Sequence, residues 1–462
     1  MILAIDQGTT GTTCLVVDDE LNILGRGYRE LTQSFPQPGW VEHDPEEIWA
    51  TVVDSAADAL VAAGVTAADL AVVGITNQRE TTLLWDRRTG RPVAPAIVWQ
   101  DRRTAARCSE LDPGLIRAKT GLVPDPYFSA TKLEWLLREH DSDGLAFGTV
   151  DTWLVWKLTN GDVHVTDRTN ASRTLLASID TLDWDDELLE LFGVDRALLP
   201  AIVASGETVG EGRLLDATFE IRALVGDQQA ALYGQGCHEA GQGKVTYGTG
   251  SFVLVHTGDD AAPAPDGLLK TAAADGYALE GSVLVAGAAI QWLRDGLGVI
   301  ADAAETEALA RSVASSGGVV FVPALQGLGS PWWDADARGV ISGLSRGTTR
   351  AHLVRAALEA IAHQVCDVVD ALPERPTVLR ADGGAAANRF LLQTQADLLQ
   401  LQVEASAERE TTALGAAALA AGRGARVRVA ETFEPGVSAD EAASQREIWQ
   451  VALERSSERV HR

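Results

Sequence analysis

The chain opens with Ile2-Leu3-Ala4-Ile5-Asp6-Gln7-Gly8-Thr9-Thr10, and no other run limits its fold as strongly. Ile2 to Ile5 read as a buried strand that ends at an acid. Gly8 lets the backbone turn tightly and lets a ligand come close to it. Thr9 and Thr10 set hydroxyls beside bare backbone N–H groups, which suits the turn to a phosphate. Asp6 repels phosphate but can hold a magnesium ion through water, since Mg²⁺ keeps several waters and takes one or two carboxylates. Taken alone, the segment is equally compatible with an ordinary hairpin turn, because short glycine motifs recur by chance.

Two later segments repeat the theme. Lys244-Val245-Thr246-Tyr247 runs into Gly248-Thr249-Gly250 and resumes at Ser251-Phe252 toward Val255. Val378-Leu379-Arg380-Ala381-Asp382 runs into Gly383-Gly384 and on to Asn388. Three strand-to-glycine transitions along one chain suggest two domains that face each other and clamp one nucleotide. The arrangement resembles the actin/hexokinase-type ATPases. These are α/β proteins with two ribonuclease H-like domains facing a central cleft, two phosphate turns and an Asp-Gly-Gly against the adenosine. A length of 462 residues is too great for one ordinary core and sufficient for two. The glycines between Gly236 and Gly243 suit a hinge, which places the domains at 1–240 and 241–462.

Composition narrows the partners. With 46% hydrophobic and 22% charged residues the chain sits near the globular average, so disorder is not expected. No apolar run reaches the ~18–20 residues of a membrane helix. The N-terminus lacks the basic flank of a signal peptide, so membrane insertion is not expected either. A formal net charge of −27 makes nucleic acid a poor partner. An anionic nucleotide then needs a locally favourable site made of a cation, backbone N–H groups and a few arginines. Cys14, Cys108, Cys237 and Cys366 are scattered, without a Cys-x-x-Cys, which points to reduced, buried thiols in a cytoplasmic protein.

Coarse elements follow from the pattern. A strand from Leu21 to Tyr28 would complete a three-strand meander on the first turn. Asp44-Pro45-Glu46-Glu47 marks a helix start. Ile48, Val52, Ala56 and Leu60 give that helix an apolar face, and Gly64 ends it. Leu70 to Thr76 reads as a strand buried on both sides. Ile290, Leu293 and Leu297 form a core stripe on a helix from about Ala288, and Leu353 to Leu372 form another after Thr349. The tail from about Arg423 is charged and poorly patterned. Alternating strands and helices argue for a mixed sheet with helices packed on it.

The residues on the acceptor side are legible too. Arg79-Glu80 follows a strand and reads either as a surface ion pair, worth little, or as a donor fork and an acceptor offered to a polyol. Trp99 is either core or the wall of a small pocket. Asp125-Pro126-Tyr127-Phe128 puts a phenol on a loop. Val225-Gly226-Asp227-Gln228 places a carboxylate directly after a strand, the position of a general base.

These segments, with Ile75 to Thr82, Ala96 to Gln100, Phe147 to Trp153, His164 to Arg173, Tyr277 to Asp295 and Gly327 to Asp334, resemble the FGGY carbohydrate kinase family, its glycerol kinases in particular. The similarity runs from Ile2 to roughly Gly424. It implies ATP-dependent phosphorylation of glycerol to sn-glycerol 3-phosphate, with Mg²⁺. By the resemblance, Arg79, Glu80, Tyr127 and Asp227 would bind the glycerol hydroxyls beside Gln228, and Trp99 and Phe252 would pack on the carbons. Asp227 would be the base. Gly8, Thr9, Thr10, Thr249 and Gly250 would receive the phosphates. Gly287, Gln291, Gly384 and Asn388 would line the rest of the ATP site, and Asp6 would position Mg²⁺ through water. A homo-oligomer, dimer or tetramer, is expected.

Two other functions stay open: a kinase for another small polyol or triose such as dihydroxyacetone, and a non-catalytic nucleotide-binding regulator. The Trp99 wall favours glycerol over a pentose, and retention of both Asp6 and Asp227 argues against a pure binder. The chain also departs from the family. Gly11-Thr12-Thr13 stands where many relatives have Ser-Ser-Arg, so Thr13 replaces an arginine that would face the transferring phosphate. The segment Arg213 to Leu224 lacks the glycine-rich basic insert with which some members bind a sugar bisphosphate. No histidine lies between Ala204 and Arg222, where other members carry a phosphorylatable one.

Overall fold

In the computed structural model, which describes residues 1–425 and 427–457, the opening run forms β1 (Ile2–Gln7). Its turn leads into β2 (Gly11–Val17) and then β3 (Ile23–Glu30), the expected meander. β3 starts later than the pattern suggests because Leu21 turns at φ 62°, where Asp18 accepts from the Glu20 and Asn22 backbone N–H groups. Asp44 caps α1 (Pro45–Ala63), and Gly64 ends it in the left-handed conformation. Its apolar face, with Ile48, Val52, Ala56 and Leu60, is buried in one cluster with Leu3, Ile5, Cys14 and Val16 of the sheet.

β4 (Val72–Asn77) is buried throughout and pairs parallel to β1. β5 (Gly210–Leu214) and β6 (Ala217–Gly226) complete a sheet in the order β5-β6-β4-β1-β2-β3. Only Leu215 and Asp216 join β5 to β6, both at positive φ, so the stretch that lacks the basic insert is a tight hairpin.

α2 (Asp227–Gly234) leaves the end of β6, and the pattern restarts. β7 (Gln242–Tyr247), β8 (Ser251–Gly258), β9 (Leu269–Ala273) and β10 (Gly276–Val283) are followed by α3 (Gly287–Gln291) and α4 (Arg350–Asp370). β11 (Val378–Asp382), α5 (Arg389–Leu399), β12 (Val403–Ser406), α6 (Thr411–Ala420), β13 (Val429–Phe433) and α7 (Ala439–Ser457) follow. The second sheet runs β9-β10-β8-β7-β11-β12-β13. Each sheet has a central strand, β1 or β7, with antiparallel neighbours on one side and parallel ones on the other. Each central strand runs straight into its glycine turn. The two Gly-Thr turns of the sequence are therefore the visible trace of a repeated topology, and the α/β class with two sheets is the one expected.

The halves meet through two helices. α6 packs on the first sheet, where Ala413, Ala416, Ala417 and Ala420 are buried with Ala4, Leu15, Val72 and Val225. It crosses α2 with backbone against backbone. A Cβ on Gly415 would lie 2.0 Å from the Ala230 carbonyl, and one on Gly234 would lie 2.1 Å from that of Thr411. Arg380 of β11 ties down the chain leaving α2, donating to the carbonyls of Gln235 and Gly236 at 2.8 and 3.0 Å.

One expectation is corrected. Leu297 is 47% exposed rather than core. After Gln291 the helix widens into a π turn over Trp292–Gly296, which rotates Leu297 away from buried Ile290 and Leu293. The tail is structured: β13 extends the second sheet, and α7 buries Trp449, whose indole N–H donates to Asp367 at 2.9 Å. Beside Leu453 its other buried positions are the small Ala442, Ala452 and Ser456, which do not mark an apolar face. Residues 426 and 458–462 of that tail lie outside the described residues. Among the described residues no helix is long and apolar enough to cross a membrane, and the four cysteines are unpaired and buried.

Candidate active site

Beyond β4 the chain turns through Gln78-Arg79-Glu80 into the space between the sheets. Arg79 is 2% and Glu80 1% exposed, which removes the surface ion-pair reading. Glu80 sits at φ 60°, a conformation that costs a non-glycine residue about 1–3 kcal/mol and persists where the surroundings enforce it. Here they do. Arg173 Nε donates to its carboxylate at 2.7 Å, and the hydroxyls of Ser129 and Thr82 donate to its carbonyl at 2.9 and 3.1 Å.

Arg79 is the hub. Its two terminal nitrogens donate to Glu280 of β10 at 2.7 and 3.0 Å, a bidentate pair from the opposite sheet. One also reaches the Tyr127 phenol at 3.3 Å and the other the Gln229 side chain at 3.2 Å. Its Nε lies 3.2 Å from Asp227 Oδ1, which also accepts from the Gln228 backbone N–H at 2.7 Å. Arg173 donates to Glu280 at 3.0 Å. Fully buried Lys244 of β7 donates to the Gln228 side chain and to Thr246. Three cations (Arg79, Arg173, Lys244) thus face three acids (Glu80, Glu280, Asp227), and this balance lets all of them but the partly exposed Asp227 leave water together.

Aromatic rings wall the cluster. Trp99 meets Tyr127 edge-on at 5.4 Å and Phe252 at 6.4 Å between centroids. Buried Lys132 fixes the Tyr127 loop by donating to the carbonyls of Tyr127 and Phe128 at 2.7 and 3.1 Å. The Trp99 indole donates to the Thr9 hydroxyl at 2.8 Å, which joins the acceptor wall to the first phosphate turn.

The charge distribution shifts several groups. Burial raises the Asp227 carboxyl above the usual carboxylate range, against the pull of Arg79 and Lys244. Burial pushes Lys244 down to about 8, opposed by Asp382 and Asp227. Burial, and then repulsion from Asp227 and Glu410, drives Asp6 up to about 8. An acid so short of positive charge fits a divalent cation. Among the described residues no group of three or more His, Cys, Asp or Glu side chains is placed to hold a metal ion. Thr13 lies directly opposite Asp6 in the β1–β2 register, so both side chains share one face of the sheet.

The nucleotide-side residues form a second group. The first turn closes with a Gly8 N–H to Gly11 carbonyl bond at 2.9 Å, and Thr10 is exposed. In the second turn the Ala286 and Ala288 N–H groups donate to the Thr249 carbonyl at 2.9 and 3.0 Å, pressing the start of α3 onto it. A Cβ on Gly250 or Gly287 would lie 2.5 Å from a backbone oxygen, so only glycine allows that approach. Gln291 is one turn further on and exposed. A Cβ on Gly384 would meet nothing within 4 Å, so this glycine borders open space. Asn388 caps α5, accepting from the Leu391 N–H at 3.1 Å and donating to Thr306 at 3.1 Å.

Every expected acceptor residue belongs to one connected cluster. Sequence reasoning assigned no role to Glu280, Arg173, Lys244 or Gln229. A readable signal existed for two of them: Glu280 and Lys244 are the single charges of their strands, where an unpaired buried charge is prohibitive.

Residues 1–234 match the N-terminal domain of the FGGY family of carbohydrate kinases, and residues 243–422 match its C-terminal domain. The chain is 48% identical to glycerol kinase 2 of Thermotoga maritima, over 98% of both chains. It is 52% identical to a glycerol kinase of Shewanella frigidimarina, over 91% of this chain and 88% of that one. Among solved structures, the glycerol kinase of Plasmodium falciparum with ADP is similar at a TM-score of 0.90 and 34% identity, covering 99% of this chain and 98% of its own.

Proposed function

The chain belongs to the FGGY family of carbohydrate kinases, and from that premise we propose that it transfers the γ-phosphoryl group of ATP to glycerol, giving sn-glycerol 3-phosphate. The observation that carries this reading is the Asp227 carboxylate at the head of α2, 3.2 Å from Arg79 Nε, with Arg79 linked through the Tyr127 phenol to the Trp99 and Phe252 rings. Asp227 takes the proton of the attacking hydroxyl, and burial makes it a stronger base than a free carboxylate. Arg79, Glu80 and Tyr127 orient the other hydroxyls, Gln228 is held beside them by Lys244, and the aromatic rings exclude anything longer.

The turns Gly8–Thr10 and Thr249–Gly250 receive the phosphates on backbone N–H groups and hydroxyls. Gly287, Gln291, Gly384 and Asn388 line the remaining ATP site. Mg²⁺, held by Asp6 through water, supplies charge neutralisation at the phosphates when bound. The domains are residues 1–240 and 241–462, and their closure keeps water from competing with glycerol. Four unpaired cysteines support a cytoplasmic setting.

ADP release measured by a coupled assay, with glycerol, dihydroxyacetone, xylulose or no acceptor, tests the reading. Glycerol should give the highest kcat/KM. No glycerol-dependent ADP would refute it, and a preference for dihydroxyacetone would transfer it to a triose kinase.

A further inference from the structure

Of the residues around the proposed glycerol site, Arg79, Glu80, Tyr127, Arg173 and Asp227 all precede β7. Glu280 comes from β10 in the second sheet, is fully buried, and takes three N–H bonds from two arginines. Its grip decides where Arg79 points. Three carboxylates lie within reach of that guanidinium: Glu280 at 2.7 Å, Asp227 at 3.2 Å and Glu80 at 3.9 Å. Glu280 occupies the terminal fork, so Asp227 meets only the Nε edge, and one terminal nitrogen is aimed at Tyr127. Without Glu280 the fork is free to turn onto Asp227, and the base becomes half of a tight ion pair.

We propose that Glu280 is a positioning residue for phosphoryl transfer: reaching from the second sheet, it holds Arg79 in the orientation that binds the acceptor and keeps it from capturing Asp227. This rests on the glycerol kinase reading. It goes further in making the orientation of Arg79 depend on the second half of the chain. An acceptor arginine then adopts its working orientation only when β10 is seated against the Arg79 turn. Arg173 completes the device by pairing with Glu80 and with Glu280 Oε1, which also accepts from the Ser282 hydroxyl at 3.3 Å, so the two arginines and two glutamates carry no net charge.

The test compares wild type, Glu280→Gln and Glu280→Asp in the coupled assay, with glycerol and ATP varied separately. The glutamine keeps the shape but loses the charge, and the aspartate keeps the charge but retracts the fork. Glu280→Gln should raise glycerol KM roughly tenfold or more and lower kcat by a similar factor, with ATP KM within about twofold of wild type. Glu280→Asp should fall between them. Combining Glu280→Gln with Arg79→Lys should add little to Arg79→Lys alone, because both act through one guanidinium. If Glu280→Gln does not fold, Glu280→Asp decides. Unchanged glycerol KM in either folded variant overturns the proposal while the function stands. Equal damage to glycerol and ATP KM also overturns it, since that is the mark of a merely structural residue. Absence of glycerol turnover in wild type removes the function itself.

Discussion

Replacing Asp227 with asparagine separates shape from proton acceptance. The amide oxygen still accepts from the Gln228 N–H and faces Arg79 Nε, contacts that measure 2.7 and 3.2 Å in the native protein. The other position becomes an NH₂ donor, so no atom there can take a hydroxyl proton at neutral pH. General-base catalysis typically contributes ~10²–10⁴-fold, or about 3–5 kcal/mol. The pocket should survive, because Arg79 keeps its fork on Glu280. The lost negative charge is compensated in part by Asp6, which is raised partly by repulsion from Asp227 and ionises more readily without it. We therefore expect kcat to fall ~10²–10⁴-fold, while glycerol affinity by calorimetry weakens by no more than about tenfold, the worth of one neutral hydrogen bond. The pH profile adds a check. A base with a raised pKa loses activity as pH falls through a value above the ordinary 3.8, and that acid limb should be missing from the residual rate of the variant. Turnover within a few-fold of wild type would refute the base role. Loss of glycerol binding in a folded variant would recast Asp227 as an anchor.

Arg79→Ala should raise glycerol KM steeply and lower the melting temperature, since removing one partner of a buried ion pair costs about 3–5 kcal/mol; unchanged KM in a folded protein refutes its place at the acceptor. Thr13→Arg puts a cation beside Asp6, where repulsion from Asp227 and Glu410 marks a shortage of positive charge. It should lower ATP KM or raise kcat by about 1 kcal/mol, several-fold, and unchanged kinetics in a stable protein would mean that position 13 does not face the phosphates. Acid should destabilise the fold through buried histidines. Burial lowers His43 and His164 from 6.5 to about 4, so the unfolded chain binds the proton first. Their stabilisation is complete above pH 6.5 and lost as pH falls to 4, up to about 3 kcal/mol each; raised Asp6 and Asp151 oppose it in the same window, so the check is His43→Gln, whose melting temperature should fall less than that of wild type between pH 7 and 5, and an equal fall would refute this. Gly415→Ala drives a methyl toward the Ala230 carbonyl and should slow turnover at an opening step. A burst of product before the slow steady state is expected, and loss of rate without a burst would place the damage in the chemistry.

The parts of the fold legible in the sequence are those set by local rules. Asp44, Pro45 and Gly64 delimit α1 because caps depend on neighbouring residues alone. The meander and the glycine turns follow from runs of fewer than ten residues. Leu297 escaped because a π turn resets the helical phase, which no fixed periodicity anticipates. α7 escaped because one tryptophan, one leucine and a few small residues bury it. At the site, Arg79, Asp227 and Trp99 were legible as types at strand ends. The partners of Glu280 and Arg173 were not, because they lie 201 and 93 residues distant. Long-range electrostatic pairing leaves no periodic trace, only a charge where the strand pattern calls for an apolar residue.

Most helix pairs lock through interdigitating ridges and grooves. At the α2–α6 crossing the glycines remove the ridges, so one helix rests on the other as a shaft rests in a plain bearing. The shafts end at meaningful places. α2 begins at Asp227, and α6 begins at Thr411, whose hydroxyl donates to Asp382 just before the Gly383-Gly384 turn. On the proposed function, a rotation at this crossing would carry the Gly383-Gly384 turn toward Asp227 as a nearly rigid lever. Glu280 of the second sheet bonds Arg79 and Arg173 of the first half, so any opening at the crossing would have to break those charge-assisted bonds.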